Sequence, residues 1–325
     1  MRAVVVDGPG PAEVLRVEDV PEPTPGPGDV LVQVSAAGVN RADVLQREGH
    51  YPPPPGAPAW PGLEVSGTVV AVGDDAVDRW GVGDRVAALL AGGGYAERVT
   101  VRADLCLPVP DDLPLVDAAA LPEAVATVWS NLRAAHLAPG ETLLVHGGSG
   151  GVGSVAVQVA RALGTRVLAT AGGPDRVRRV ADLGADVVLD HREDDLVGRV
   201  RAATDHRGVD VVLDVLGGRA LPDNLRLLAD GGRLVVIGLQ QGRRAELDLG
   251  LLLARRASVV GTTLRSRPHA QKAAIVDGVA RHVWPMLTDG RLRPVVHERV
   301  PLDEAARAHR MLEAGEVFGK VLLVP

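Results

Sequence analysis

Cysteine is almost missing from this chain: Cys106 is the only one in 325 residues. A lone thiol excludes an internal disulfide framework and any metal site built on several cysteines, and it makes the cytoplasm the expected compartment. Lysine is nearly as scarce. Lys272 and Lys320 are the only two, so arginine supplies almost all the positive charge. Aromatic residues make up 2% of the chain, which leaves aliphatic side chains to line any pocket, with Tyr51, Trp60 and Trp129 as exceptions. No apolar run approaches the roughly 18 residues of a membrane span. The opening Met1–Asp7 breaks after three valines, so neither a leader nor a membrane partner is expected. The net charge of −6 argues against a general nucleic-acid surface. What remains, 46% hydrophobic and 23% charged, is ordinary for a globular chain. The length suits about two domains.

Two textures divide the sequence. Up to about residue 120, short β-type runs such as Val30–Val34, Gly67–Val72 and Arg85–Leu89 alternate with Gly/Pro turns, which predicts a barrel-like all-β lobe. From about residue 123 the rhythm becomes β-α. Strands are expected at Thr142–His146, Arg166–Ala171, Asp186–Asp190, Val209–Val215, Arg233–Gly238 and Ser258–Leu264. Helices are expected at Gly153–Leu163, Arg176–Leu183, Asp195–Thr204 and Leu221–Leu228, with Gly164, Gly184 and Gly231 or Gly232 where helices should stop. Such alternation predicts an α/β fold with a doubly wound parallel sheet. The stretch 265–325, with helix Asp303–Glu313 and strand Gly319–Val324, should return to the first lobe. The expected domains are thus 1–122, 123–264 and 265–325.

The strand Thr142–His146 leads into Gly148, Gly150 and Gly153 spaced as G-x-G-x-x-G, with Gly151 and Val152 between. Following a strand and opening a helix, this is the context of a dinucleotide cradle: glycine lets backbone N–H groups approach a pyrophosphate, and the helix N-terminus favours its charge. The second strand ends in Ala171-Gly172-Gly173 with no acid to bind a ribose diol. Arg176 follows soon after, and arginine grips phosphate as a planar fork. The expected cofactor is therefore NADPH, with Arg176 and Arg192 near the 2′-phosphate; a solvent-facing Arg176 is the alternative.

Longer motifs carry a resemblance. Asn40–Arg47, Gly49–Pro54, Pro61–Gly67, Leu264–Arg267 and Gly319–Val321 resemble the medium-chain dehydrogenase/reductase superfamily. Within it the chain is similar to the zinc-independent, zeta-crystallin-like quinone oxidoreductases, and most to the tumour-suppressor-induced branch. The resemblance runs over essentially the whole chain. It implies a GroES-like β-barrel lobe beside the Rossmann lobe, a homodimer, and an NADPH-dependent reductive activity. The zinc-dependent members carry cysteine near the place of Asn40, and Gly-His-Glu where this chain has Gly62-Leu63-Glu64. Zinc needs thiolate, imidazole or carboxylate ligands, so no metal is expected here.

The same resemblance implies site residues. Asn40, Tyr51 and Asp43 are the catalytic candidates. The Tyr51 phenol is a donor at neutral pH; Asp43 could instead only hold its loop. Thr127 should face the nicotinamide unless its hydroxyl bonds its own turn. Gly172, Gly173, His191, Gly238, Leu239, Gln240, Leu264, Arg265, Ser266 and Lys320 should lie along the cofactor. His191 stands where relatives often carry tyrosine, and Gly173-Pro174-Asp175 replaces a more polar loop. The reading is reduction of a small-molecule quinone or enone. A double-bond reductase of the same fold and a non-catalytic NADPH-binding sensor stand beside it. Strand Ser258–Leu264 could pair with its twin across a two-fold axis.

Overall fold

Six strands form one all-parallel sheet in the order Val187–Asp190, Arg166–Ala171, Thr142–Val145, Val209–Asp214, Leu228–Val236 and Ser258–Gly261. In chain order this is 3-2-1-4-5-6, so the direction of winding reverses between Thr142–Val145 and Val209–Asp214. Open α/β sheets bind ligands outside the strand C-termini at that point. The structure, a computed structural model, describes all 325 residues. The sheet belongs to a compact unit, Thr127–Thr263. Its strands read as near-continuous Val/Leu runs because helices cover them; Leu144, Leu168, Val212, Leu225, Leu228 and Leu234 form its buried core.

Most expected elements fall within a residue or two of their sites. Helix Gly151–Ala162 starts earlier than expected, at Gly151 rather than Gly153, so the cradle's last glycine lies in its first turn. Gly164 and Gly184 follow helices with φ of +80° and +105°, a region that favours glycine. Gly231 differs. It does not end helix Leu221–Leu227, which stops at an extended Leu228. The next strand already begins at Leu228, not at Arg233, and pairs through an irregularity around Ala229–Gly232. Ser258–Gly261 is shorter than expected and forms the sheet edge.

The other unit joins Met1–Ala126 to Leu264–Pro325. Its seven-stranded sheet runs Val296–Pro301, Lys320–Val324, Asp29–Gly38, Glu64–Val72, Arg85–Leu89 and Cys106–Pro108, with Arg98–Arg102 also on Asp29–Gly38. The last strand, Lys320–Val324, lies antiparallel to Asp29–Gly38 through Leu322↔Gly38 and Leu323↔Ala37. That pairing carries Lys320 to the end of the strand that delivers Asn40. The free Cys106 is buried, and burial raises its thiol pKa.

Candidate active site

The strand Asp29–Gly38 ends two residues before helix Arg41–Arg47, and Asn40 is that helix's N-cap. Its backbone N–H donates to Asp43 Oδ2 at 2.8 Å, which fixes the helix entry. The Asn40 amide turns inward: Nδ2 donates to Glu64 Oε1 at 2.8 Å, and Oδ1 accepts from Lys320 Nζ at 2.5 Å. Lys320 Nζ also lies 2.5 Å from Glu64 Oε1 and 3.7 Å from Glu123 Oε2. The other oxygen, Glu64 Oε2, accepts the Glu123 backbone N–H at 2.9 Å. Gly38 makes the arrangement possible, since a Cβ there would sit 2.3 Å from Glu64 Oε1. Burial alone would lower the Lys320 pKa; the charges of Glu64 and Glu123 outweigh it and hold the pKa above its ordinary value.

Asp43 is fully buried. Oδ1 accepts from the Gly62 N–H at 3.0 Å while Oδ2 holds Asn40. Burial pushes its carboxyl up to about 6, although both amides and the charges of Lys320 and Arg265 pull it down. Its neighbour Tyr95 is buried too, with its hydroxyl 3.2 Å from His309 Nε2.

Tyr51 lies half-buried in the proline-rich loop, and its ring faces the Arg265 guanidinium at 5.3 Å from the centroid. Arg265 donates to the Tyr51 carbonyl at 3.1 Å, to Gln46 Oε1 at 2.6 Å and to the Ala91 carbonyl at 2.7 Å. Three of the Arg265 donors thus tie it to the Tyr51 loop and to Gln46 and Ala91. Burial raises the Tyr51 pKa, with Arg265 opposing. The phenol is therefore a hydrogen-bond donor at neutral pH. Leu264 and Ser266 flank Arg265, half-buried and exposed respectively.

In the parallel-sheet unit, the glycine loop fits a pyrophosphate. A Cβ at Gly153 would meet the Gly147 carbonyl oxygen at 2.0 Å, and one at Gly148 would touch Ala169 and Val180 at 3.0 Å. The amides of Gly151, Val152 and Gly153 form a first helical turn with no acceptor in the chain, and no acid lies there. Asp190, at the end of the third strand, accepts the Gly173 N–H at 3.0 Å and the Arg192 N–H at 2.9 Å. The Arg192 guanidinium and the His191 ring consequently lie over Gly172 and Gly173. Arg176 is half-buried in helix Pro174–Ala181. Gly238, Leu239 and Gln240 follow the fifth strand, tied to the fourth by the Gly238 and Gln240 amides on the carbonyls of Asp214 and Val215. Thr127 is buried, and its carbonyl accepts from Asn131 Nδ2 at 2.7 Å.

The structure thus joins Asn40 and Lys320, brings Asp43 beside them, and pairs Tyr51 with Arg265. Sequence reasoning missed Glu64, Glu123 and Asp190 as site residues. Only Glu64 left a signal, as an acid in an otherwise apolar Gly-Leu-Glu-Val run. A catalytic zinc needs three suitable protein ligands, and no group of three His, Cys, Asp or Glu side chains is placed to hold a metal ion. The donors around Asn40 and Leu63 do not fit one, because Glu64 is already bound by the Lys320 ammonium.

Residues 26–111 match the alcohol dehydrogenase GroES-like domain family and residues 151–278 the zinc-binding dehydrogenase family. A quinone oxidoreductase of Rattus norvegicus is 34% identical over 331 aligned positions, covering 100% of this chain and 98% of that protein. Among solved structures, the Escherichia coli quinone oxidoreductase complexed with NADPH superposes with a TM-score of 0.89 at 30% identity, over the whole of both chains. The CurK enoyl reductase superposes at 0.88 with 27% identity, covering 99% of this chain and 98% of that one. The chain belongs to the medium-chain dehydrogenase/reductase superfamily and, within it, to the zeta-crystallin-like quinone oxidoreductase family.

Proposed function

We propose that this chain is an NADPH-dependent quinone oxidoreductase that works without zinc, with Tyr51 as the hydrogen-bond donor to the acceptor oxygen. When bound, NADPH supplies the hydride; with one proton taken up, a quinone becomes a hydroquinone. The observation that carries the reading is the buried contact of Lys320 with Glu64 and Asn40. It puts a fixed ammonium where metal-dependent relatives need ligands, so polarisation of the acceptor falls to hydrogen-bond donors.

The chain's own groups divide the work. The amides of Gly151–Gly153 would receive the pyrophosphate, and Arg192 with Arg176 the 2′-phosphate. Asn40, Lys320 and Glu64 form a rigid polar floor, and Asp43 positions Asn40. Tyr51, held by Arg265, keeps its proton and donates to the oxygen on which charge develops. The acceptor needs an electron-poor carbonyl or conjugated bond, since no Lewis acid assists.

The test is NADPH oxidation by the purified protein with a small quinone. Turnover should be unaffected by a chelator; abolition by chelator and rescue by zinc would overturn the reading. The likeness to the CurK enoyl reductase supports a second reading, reduction of a conjugated double bond. A higher kcat/KM for an α,β-unsaturated ketone than for a quinone would favour it.

No helix is long and apolar enough to cross a membrane. A cytoplasmic homodimer is the proposed form. The edge strand Ser258–Gly261, with Val259 exposed, and the nearby exposed Leu247, Leu249 and Leu253 would be covered by a second copy.

A further inference from the structure

We propose that Arg219, Arg243 and Arg244 form an anion site for a phosphate-bearing tail of the acceptor. The three side chains, all exposed, line one open hollow of about 980 Å³ together with Gln240, Gln241 and Gly242. No carboxylate closes it: none of the three arginines makes an ion pair, whereas most arginines of this chain do. Arginine carries five donors in a planar fork, suited to phosphate. Three unpaired guanidinium groups around one hollow therefore select a polyanion.

The walls are held firmly. Gly218 donates to the Gly242 carbonyl at 2.8 Å, Arg219 to the Gln241 carbonyl at 3.3 Å, and Gln241 to the Leu216 carbonyl at 2.7 Å. Buried Asp214 accepts the amides of Leu216 and Gly217. The two loops also approach too closely for side chains. A Cβ on Gly217 would lie 2.9 Å from the Gly242 carbonyl oxygen, and one on Gly218 would lie 2.7 Å from that of Arg244.

Position decides which phosphate. The loops follow the fourth and fifth strands of the sheet, whereas Gly172, Gly173, Arg176 and Arg192 follow the second and third. The two halves of this sheet each receive one half of a dinucleotide. The arginine cavity is thus in the half opposite the proposed 2′-phosphate site, on the nicotinamide side, where the acceptor must arrive to take hydride. It rests on the oxidoreductase reading and narrows its substrate class: a conjugated carbonyl joined to a phosphate or diphosphate, in place of a wholly neutral quinone.

The experiment compares the wild-type protein with the triple variant Arg219→Gln/Arg243→Gln/Arg244→Gln. The acceptors are naphthoquinone and naphthoquinone sulfonate, the sulfonate standing in for phosphate. The KM for the sulfonate should rise about tenfold in the variant, with naphthoquinone KM and NADPH affinity changing less than about twofold. Inorganic pyrophosphate should compete with the sulfonate and not with NADPH, and lose its effect in the variant. Equal KM changes for both acceptors would overturn the site. So would weakened NADPH binding, which would assign the arginines to the cofactor, or inhibition by pyrophosphate through kcat alone, which would assign them to a free anion. Absence of wild-type turnover with either quinone would instead overturn the oxidoreductase reading itself.

Discussion

Lys320 Nζ and Glu64 Oε1 lie 2.5 Å apart, with 4% and 0% of their side chains exposed. A buried pair is costly to assemble, and removing one partner leaves the other as an uncompensated charge, at about 3–5 kcal/mol. Lys320→Met should lower unfolding stability by that amount in urea titrations. Lys320→Met/Glu64→Gln should recover part of the loss, because no buried charge is left unpaired, although the variant amide has one oxygen and can accept from only one of Asn40 Nδ2 and the Glu123 N–H. Equal stability of the single and double variants would show that the pair is not coupled.

Substitutions at two glycines should separate folding from cofactor binding. The Cβ of Gly153→Ala would lie 2.0 Å from a backbone oxygen, so the variant should lose both thermal stability and NADPH affinity. At Gly150, φ is −82° and the nearest neighbour of a Cβ is 3.5 Å away. Gly150→Ala should keep its Tm while NADPH affinity falls on the order of tenfold or more, since a methyl would intrude on the pyrophosphate. Fluorescence titration and a thermal melt decide both. Unchanged binding in Gly150→Ala would show that the pyrophosphate does not lie on this loop.

The cradle was legible because its signal is local: a strand, three spaced glycines and a helix within about twenty residues. The same holds for the strand ends and for Gly164 and Gly184. What sequence did not reveal depends on distant partners. Glu64 and Lys320 are 256 positions apart, and only the return of the last strand onto Asp29–Gly38 brings them together. Arg265 likewise has its carbonyl and amide acceptors at Ala91, Tyr51 and Gln46, which no periodicity announces. Asp190 was read as the end of a strand, because its acceptor role depends on where Gly173 lies in the turn after the neighbouring strand.

Selectivity for the extra phosphate should reside in Arg192 and Arg176. The Arg192 guanidinium lies over Gly172 and Gly173, whose loop carries no acid until Asp175, and Asp175 is 2.7 Å from Arg178. Arg176→Ala/Arg192→Ala should weaken NADPH binding about tenfold or more and leave NADH binding unchanged. The wild-type preference should also shrink with added salt. A ratio of the two affinities that does not move would remove these arginines from the phosphate site.

Asp43 gives a pH signature of known sign. Its folded-state pKa of about 6 lies above the ordinary 3.8. Between those values the folded protein holds a proton that the unfolded chain releases, so this group's contribution is full below the unfolded value and is lost as pH rises through about 6. The size is on the order of 3 kcal/mol. Asp43→Asn removes the titration, though its amide nitrogen cannot accept from either Asn40 or Gly62. The stability of the wild type minus that of the variant should therefore decline from pH 4 to pH 7. A flat difference would show that Asp43 titrates as an ordinary carboxyl.

Tyr51 and Arg265 can be separated by kinetics. If the phenol donates to the acceptor oxygen mainly as charge develops there, Tyr51→Phe should lower kcat about ten- to a hundredfold and leave the quinone KM nearly unchanged. Burial raises the Tyr51 pKa, so kcat should show no deprotonation limb below the phenol's ordinary range near 10. Arg265→Met keeps the phenol and removes the guanidinium that spans the Tyr51 carbonyl, Gln46 and Ala91. A loose Tyr51 loop should raise KM as well as lower kcat, because the donor is no longer pre-positioned. The double variant should then cost little more in kcat than Tyr51→Phe alone, since Arg265 acts on catalysis through the tyrosine. Fully multiplicative losses would mean that Arg265 meets the acceptor or the cofactor itself.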